Sequence, residues 1–169
     1  MQKALEFLER VGASQAGHAS GSLMDHLVGT WRLLQAWGCS DPVCFAGLFH
    51  SVYGTSYYKL QSVPFGQRRQ VRELVGDEAE QLAFLFCVAD RPGALWAALD
   101  TRLITDRLTG AAHELSPHQT LALIEIECAN CIDQGLGLSF LQEVRAACWA
   151  GRLALRDPIA TAVARSLNA

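Results

Sequence analysis

Two histidines in successive predicted helices are the residues whose types and spacing best suggest chemistry. His26 lies in the first helix, on a stripe of apolar residues that recurs every three or four positions, and His50 lies on the matching stripe of the second. Both imidazoles are therefore predicted to point into the interior. A buried imidazole needs a partner for each ring nitrogen, and it can act as a general acid or base near neutral pH.

Hydroxyl-bearing residues follow His50 in what reads as a tight loop. Tyrosine offers a flat apolar body and a polar tip, which suits the mouth of a pocket, although tyrosines in such a loop also serve to fill a core. Serine and threonine hydroxyls can orient a carbonyl or hydroxyl group of a bound molecule. We predict that His26, His50 and Tyr53 are catalytic residues. The predicted ligand-binding residues of this loop are Ser51, Thr55 and Tyr57.

The two histidine helices resemble the HD superfamily of helical metal-dependent phosphohydrolases, especially its bacterial alarmone hydrolase branch. AGLFHSVYGT at residues 46–55 is similar to the branch's A-A-L-L-H-D-V-V-E-D-T, and FGQRRQVRELVG at 65–76 is similar to its F-G-x-x-V-x-x-L-V. The HSVYGT signature is more similar still to an uncharacterised family of small bacterial proteins, over most of residues 20–135. The resemblance implies an all-α, HD-domain-like bundle of eight or nine helices.

The chain departs from the HD pattern at the residues that carry the chemistry. The aspartate that follows the second histidine is Ser51 here, and the catalytic Glu-Asp pair is replaced by Tyr53 and Gly54. A hydroxyl group is a much poorer ligand than a carboxylate for a hard metal ion. The resemblance therefore implies an HD-like fold without the usual HD chemistry.

The last HD ligand, an aspartate from a late helix, has two candidate equivalents. ECANCIDQ at 127–134 resembles the family's L-A-D-R-L-H-N and places Asn130 at that position, whereas VADR at 88–91 offers Asp90. The order of elements favours Asn130, which we predict to bind ligand together with Glu127.

A retained metal site is the alternative that these residues leave open. Two histidines and one carboxylate can hold Zn²⁺ or Fe²⁺. His26 and His50 would supply the imidazoles and Glu127 or Asp25 the carboxylate, although Asp25 points about 100° away from its neighbour His26 around the helix. We expect no cofactor, with zinc or iron as the alternative.

Apolar residues recur at helical spacing, with proline at the predicted helix starts and glycine at the predicted helix ends, and this pattern predicts an all-α fold. Asp41, Asp77 and Asp157 are predicted N-caps, as is Ser116. Residues 101–116 are predicted to be a loop, as are residues 12–21, which carry His18 and could fold back over the site. The predicted helices span residues 2–12, 23–37, 42–50, 67–75, 78–90, 94–100, 117–134, 138–149 and 157–167.

Composition narrows the class of protein. The 169 residues are predicted to form one domain, 1–169, and the net charge of −3 favours neither nucleic acid nor an anionic membrane as a partner. No window holds the roughly 20 apolar residues of a membrane span, and the N-terminus lacks the apolar core of a signal peptide. We therefore expect a cytoplasmic protein with reduced cysteines, and the apolar C-terminal helix with Trp149 suggests a homodimer.

These observations predict a degenerate HD-like protein that binds a small organic molecule in a central pocket. His26 and His50 could transform that molecule by acid–base chemistry. One alternative is a metal-dependent enzyme on the same scaffold, either a phosphohydrolase or an iron-dependent oxygenase. The other is a non-catalytic interaction domain.

Overall fold

The computed structural model describes residues 1–18 and 21–168, and for residues 17, 18 and 21 it describes the backbone alone. The predicted loop over 12–21 lies partly outside these residues, and so does the side chain of His18. The described chain is mostly helical, which confirms the all-α class. Its helices are α1 (Gln2–Arg10), α2 (Leu23–Ala36), α3 (Asp41–Phe49), α4 (Arg68–Val75), α5 (Asp77–Val88), α6 (Gly93–Thr101), α7 (Pro117–Gln134), α8 (Leu138–Trp149) and α9 (Asp157–Ser166).

Two small antiparallel hairpins accompany the helices. β1 (Gly17–His18) pairs with β2 (Gly21–Ser22), and β3 (Leu103–Thr105) pairs with β4 (Ala112–Glu114). A short 3₁₀ helix, Phe65–Gln67, leads into α4.

The three helices that carry the candidate site pack directly on one another. α3 lies between α2 and α5, and α7 packs across both α2 and α3. The stripe predicted from the sequence of α2 is buried, with Leu23, Leu27 and Leu34 inaccessible to solvent. Because His26 and His50 belong to the same buried surfaces, helix packing brings their two rings into one interior position.

Two serine capping boxes fix where the site helices begin. Ser22 accepts a hydrogen bond from the backbone N–H of Asp25, whose carboxylate accepts one from Ser22 N–H, and Ser116 makes the same exchange with Gln119. The capping role predicted for Ser116 is confirmed. Each such box satisfies N–H groups that the helix itself leaves without partners, so the register of α2 and α7 is defined from their first turns.

The predicted aspartate caps are shifted by one position. Asp41, Asp77 and Asp157 are the first residues of α3, α5 and α9 rather than the residues before them. A carboxylate in the first turn still interacts favourably with the positive end of the helix dipole. The sequence signal was therefore right about the helix start and wrong about the capping residue.

The loop predicted over residues 101–116 contains the β3–β4 hairpin, so that prediction was wrong. Its strands are three residues long, too short to show an alternating pattern. The turn is held by Asp106, whose Oδ1 accepts hydrogen bonds from the N–H groups of Leu108 at 2.7 Å and Thr109 at 3.3 Å. Ile104 anchors the hairpin because its side chain is buried in the core.

A buried carboxylate joins α4 to α5. Glu80 is inaccessible to solvent and accepts hydrogen bonds from Arg68 at 2.6 and 2.9 Å, from Arg72 at 3.0 and 3.3 Å, and from the Tyr53 hydroxyl at 3.1 Å. Burial alone would raise the pKa of the Glu80 carboxyl, but these hydrogen bonds together outweigh it and lower that pKa. Glu80 is therefore held as an anion inside the fold.

No single helix in the described part of the chain is long and apolar enough to cross a membrane, and the pair α5 and α6, which reaches that length together, is bent by 120°. Trp149 is exposed, while α9 buries Ile159 and Val163 against the core. The homodimer, like the single domain over 1–169, stays a prediction.

We expect Arg68→Ala to lower the free energy of unfolding by about 2–3 kcal/mol, because it removes one partner of a buried carboxylate and leaves Arg72 as the only guanidinium on it. Urea denaturation at neutral pH measures this change. Arg69→Ala is the matched control: its ion pair with Glu73 is solvent-exposed, so its loss should cost less than about 0.5 kcal/mol. Equal losses in the two variants would contradict the role given to Glu80.

Candidate functional site

The His26 ring is held by a carboxylate from α7. Its Nδ1 lies 2.6 Å from Asp133 Oδ2, and the His26 side chain is fully buried while that of Asp133 is 19% exposed. A carboxylate accepts, so Nδ1 of His26 is the donor. Gly29, one turn along α2, leaves the space for Asp133, since a Cβ atom there would lie 1.8 Å from Asp133 Oδ1.

The His50 ring is oriented by its own helix. His50 is the C-cap residue of α3, and its Nδ1 lies 2.6 Å from the carbonyl oxygen of Gly47. A carbonyl oxygen can only accept, so Nδ1 of His50 carries a proton and its Nε2 presents a lone pair in the neutral ring. The ring also packs edge-on against Phe86, with centroids 5.2 Å apart.

The two Nε2 atoms meet in the interior at a separation of 3.0 Å. The two rings stand edge to face, with centroids 4.9 Å apart. Nε2 of His26 also lies 3.1 Å from Nε2 of Gln134, an amide nitrogen that can act as a donor. The two imidazoles and the amides of α7 therefore form one buried polar cluster.

A chain of polar side chains on α7 continues from the histidines. Asn130 Oδ1 lies 3.1 Å from His26 Nε2 and accepts a hydrogen bond from Gln134 Nε2 at 2.9 Å. On its other side, Asn130 Nδ2 donates to Glu127 Oε2 at 3.1 Å. Glu127 and Asn130 therefore share a helix face, as their three-residue spacing predicted.

Glu127 ends this chain in a buried ion pair. Its Oε2 accepts a hydrogen bond from Arg91 Nη1, and both side chains are at most 5% exposed. Burial raises the pKa of the Glu127 carboxyl, and the nearby Arg91 guanidinium and Asn130 amide offset part of that rise. The Arg91 guanidinium also lies over the ring of Phe86, with its Cζ 4.0 Å from the ring centroid.

A pocket of about 590 Å³ opens beside this polar chain. It lies among the loop after α3, the turn between α5 and α6, the end of α7 and the start of α8. Its polar lining comes from Ser51, Thr55, Tyr57, Tyr58, Arg91, Glu127, Asn130, Gln134 and Ser139, and the rest from Pro92, Cys131, Leu136, Gly137 and Phe140. All five predicted ligand-binding residues, namely Ser51, Thr55, Tyr57, Glu127 and Asn130, are in this lining.

The predicted catalytic residues lie outside the lining. His26 and His50 are 2% and 0% exposed and sit behind Asn130 and Gln134, so the structure brings them together but beneath the pocket wall. Tyr53 is fully buried and its hydroxyl group donates to Glu80. Burial, and to a smaller extent the Glu80 carboxylate, raises the pKa of the Tyr53 hydroxyl group well above its usual value. The structure therefore places Tyr53 in the core rather than in the site, because its hydroxyl group donates to the Glu80 carboxylate and does not face the pocket.

Thr55 has a local structural role besides lining the pocket. Its Oγ1 accepts hydrogen bonds from the N–H groups of Tyr57 at 3.2 Å and Tyr58 at 2.9 Å, which closes the loop after Gly54. The loop thus sets the position of Tyr57, a residue that is 71% exposed and lies at the rim of the pocket.

The side chains around the histidines do not fit a bound metal ion. Among the described residues, no group of three histidine, cysteine or acidic side chains is placed to hold one. Asp25 is exposed in the α2 capping box, Glu127 is engaged by Arg91, and Asp133 binds the Nδ1 side of His26 rather than facing its Nε2. Asn130 lies beside His26 as the order of elements predicted, whereas Asp90 is exposed.

Sequence reasoning missed three features of the site. Asp133 carried a usable signal, since it lies three residues after Asn130 and so on the same helix face. Arg91 carried none, because it lies in the turn after α5 and reaches Glu127 only through the tertiary fold. The start of α8 was predicted correctly as an element, but nothing local indicated that it borders a pocket.

A family model described as "Domain of unknown function (DUF6817)" matches residues 7–91, which is half of the chain. The chain belongs to this family. The matched segment includes both histidines, the loop after α3 and Arg91, while Asn130 and Asp133 lie beyond it. No curated protein and no solved structure matches the chain.

The geometry predicts that His50 carries its proton on Nδ1, whereas an exposed neutral histidine ordinarily prefers Nε2. Nitrogen-detected NMR of the side chains of ¹⁵N-histidine-labelled protein reports the tautomer directly, and His50→Ala assigns the signal. The same spectrum of the protein unfolded in urea is the reference, because the histidine rings then make none of the hydrogen bonds of the fold. A neutral His50 with its proton on Nε2 would contradict the Gly47 hydrogen bond.

Asp133→Asn should destabilise the fold by about 1–2 kcal/mol, because it replaces a charge-assisted hydrogen bond to a buried ring with a neutral one. Chemical denaturation at neutral pH measures the difference. The exposed Asp90→Asn is the control and should change stability by less than about 0.5 kcal/mol. If Asp133→Asn is as stable as the control, Asp133 does not hold His26.

Proposed function

We propose that this member of the DUF6817 family binds a small organic molecule in the pocket between the loop after α3, the α5–α6 turn, α7 and the start of α8. The observation that carries the proposal is a cavity of about 590 Å³ with a buried, mutually paired Arg91 and Glu127 in its wall. Small-molecule sites are typically clefts of roughly 300–1,000 Å³ with a few convergent polar groups in a mainly apolar lining.

A buried ion pair beside a cavity supports binding rather than packing. Replacing such a pair with apolar residues of similar volume is often neutral or stabilising, so stability alone is a weak reason to keep one. At this pocket, the pair gives the wall a donor and an acceptor at fixed positions. Both partners are oriented further, Glu127 by Asn130 and Arg91 by the ring of Phe86.

In this proposal, the histidine pair positions the pocket wall. His26 fixes Asn130 and Gln134, and these two amides line the cavity. A proton leaving His26 for a ligand would have to pass an amide group, which holds its protons and does not titrate. The proposal is therefore binding, with the histidines as positioning residues rather than as the acid and base.

We further propose that the fold is a degenerate HD-like one that works in the cytoplasm. Support for the first part is the meeting of His26 and His50 with Asn130 from a later helix, the placement that the resemblance implied. Support for the second is that all six cysteines are free, as expected in a reducing compartment.

A thermal-shift screen of a fragment library tests the proposed function. A ligand that binds only the folded protein stabilises it by about 2.7 kcal/mol at a concentration one hundred times its Kd. We expect hits that raise Tm in the wild type and fail in Ser139→Trp, in which an exposed residue of the pocket lining is replaced by a bulky ring.

Gln142→Trp is the matched control for this screen. Gln142 is exposed on the same helix, α8, but outside the pocket lining, so this variant should keep every hit. A library without hits, or with hits that both variants retain, would contradict binding in this pocket.

A further inference from the structure

Arg91, in the pocket wall, has an N–H donor that makes no hydrogen bond with any other described residue. The residue is 6% exposed, Nη1 is engaged by Glu127, and Nε is buried with no hydrogen-bond partner among the described residues. A guanidinium group offers five N–H donors in a planar fork that matches a carboxylate. A buried donor without a partner costs free energy, so an acceptor brought by a ligand would be favoured at this position.

The N-terminus of α8 borders the same pocket. Gly137 is its N-cap residue, and no side chain within the described residues caps the first turn, which also lacks an acidic residue. Gly137, Ser139 and Phe140 line the cavity. The first-turn N–H groups have no partner within the helix and form the positive end of its dipole, which is a favourable position for an anion.

The charges of the pocket limit how negative a ligand can be. Arg91 and Glu127 are the charged side chains in the described lining, and they cancel. The helix N-terminus adds the equivalent of roughly half a positive charge. A monoanion suits this balance, whereas a phosphate dianion would face Glu127 with too little positive charge to offset it.

The remaining lining indicates the body of the ligand. Pro92, Leu136 and Phe140 give apolar surface, and the exposed ring of Tyr57 stands at the rim. Removing apolar surface from water favours binding in proportion to the area buried. These walls therefore suit an aliphatic or aromatic body attached to the charged group.

We propose that the pocket takes a small organic monocarboxylate, with the carboxylate group between the Arg91 guanidinium and the first turn of α8 and the apolar body against Leu136 and Phe140. This inference rests on the proposed function, since it names the chemical class of ligand for the same pocket. It assigns α8 the part of an anion-binding helix and Arg91 the part of the ligand's main charged partner.

Calorimetric titration of the full chain with matched pairs of compounds tests the inference. Butanoate, octanoate and phenylacetate are each compared with the corresponding primary amide, and inorganic phosphate is titrated separately. At least one carboxylate should bind about tenfold more tightly than its amide, because charge-assisted hydrogen bonds are roughly twice as strong as neutral ones. Phosphate should bind more weakly than that carboxylate.

Variants at two lining residues, Ser139 and Glu127, test where the carboxylate lies without removing Arg91, whose loss would leave Glu127 buried and unpaired. Ser139→Asp places a negative charge in the first turn of α8 and should weaken carboxylate binding about fivefold. Gln142→Asp adds the same charge to α8 beyond its first turn and outside the pocket lining, and it should leave carboxylate binding unchanged. Glu127→Gln keeps an acceptor for Arg91, removes the opposing charge, and should tighten carboxylate binding about fivefold with little effect on the amide.

The outcomes separate this inference from the proposed function. If fragments from the thermal-shift library bind at the pocket but every carboxylate binds no better than its amide, the ligand class is wrong and the function stands. Phosphate binding more tightly than all three carboxylates would likewise overturn the monocarboxylate. If neither the library nor any of the probes binds, both the inference and the proposed function fail.

Discussion

The hydrogen-bonded line from Asp133 through His26 and His50 to the Gly47 carbonyl is the constraint on which the rest of the site depends. Its groups come from α7, α2 and α3, so the line can form only when these three helices are packed. Polar groups removed from water are costly unless each finds a partner, and a partly satisfied buried network is worse than an apolar one. The histidines therefore tie the packing of three helices to a single arrangement of side chains.

The positions of the polar side chains in the pocket wall depend on this line of hydrogen bonds. His26 fixes Asn130, Asn130 orients Glu127, and Glu127 holds Arg91 at the cavity wall. A guanidinium on a free side chain would lose considerable rotamer entropy on binding a ligand, while one held by a carboxylate and a phenyl ring has already lost it. The buried network thus lets a surface pocket present a rigid donor.

The sequence could predict those contacts of the fold and the site whose two residues lie close together along the chain. The stripe of α2, the burial of both histidines and the pairing of Glu127 with Asn130 follow from helical spacing, which acts over a turn or two. Asp133 belongs to the same logic and could have been found. Arg91 and the start of α8 could not, because their meeting at the pocket depends on how distant segments pack. Tyr53 shows the reverse case: its neighbour His50 suggested the site, but Glu80 from another helix decides where its hydroxyl group lies.

The amides of α7 limit what the histidine pair can do for the pocket. Nε2 of His26 lies 3.0 Å from Nε2 of His50, 3.1 Å from Asn130 Oδ1 and 3.1 Å from Gln134 Nε2, so the amide groups of α7 cover the rings at the point where they converge. Asn130 and Gln134 also line the cavity, and neither carries the negative charge that would help to hold a divalent cation. A buried imidazole pair therefore orders a wall of neutral donors and acceptors, which is the kind of wall that the proposed binding role requires.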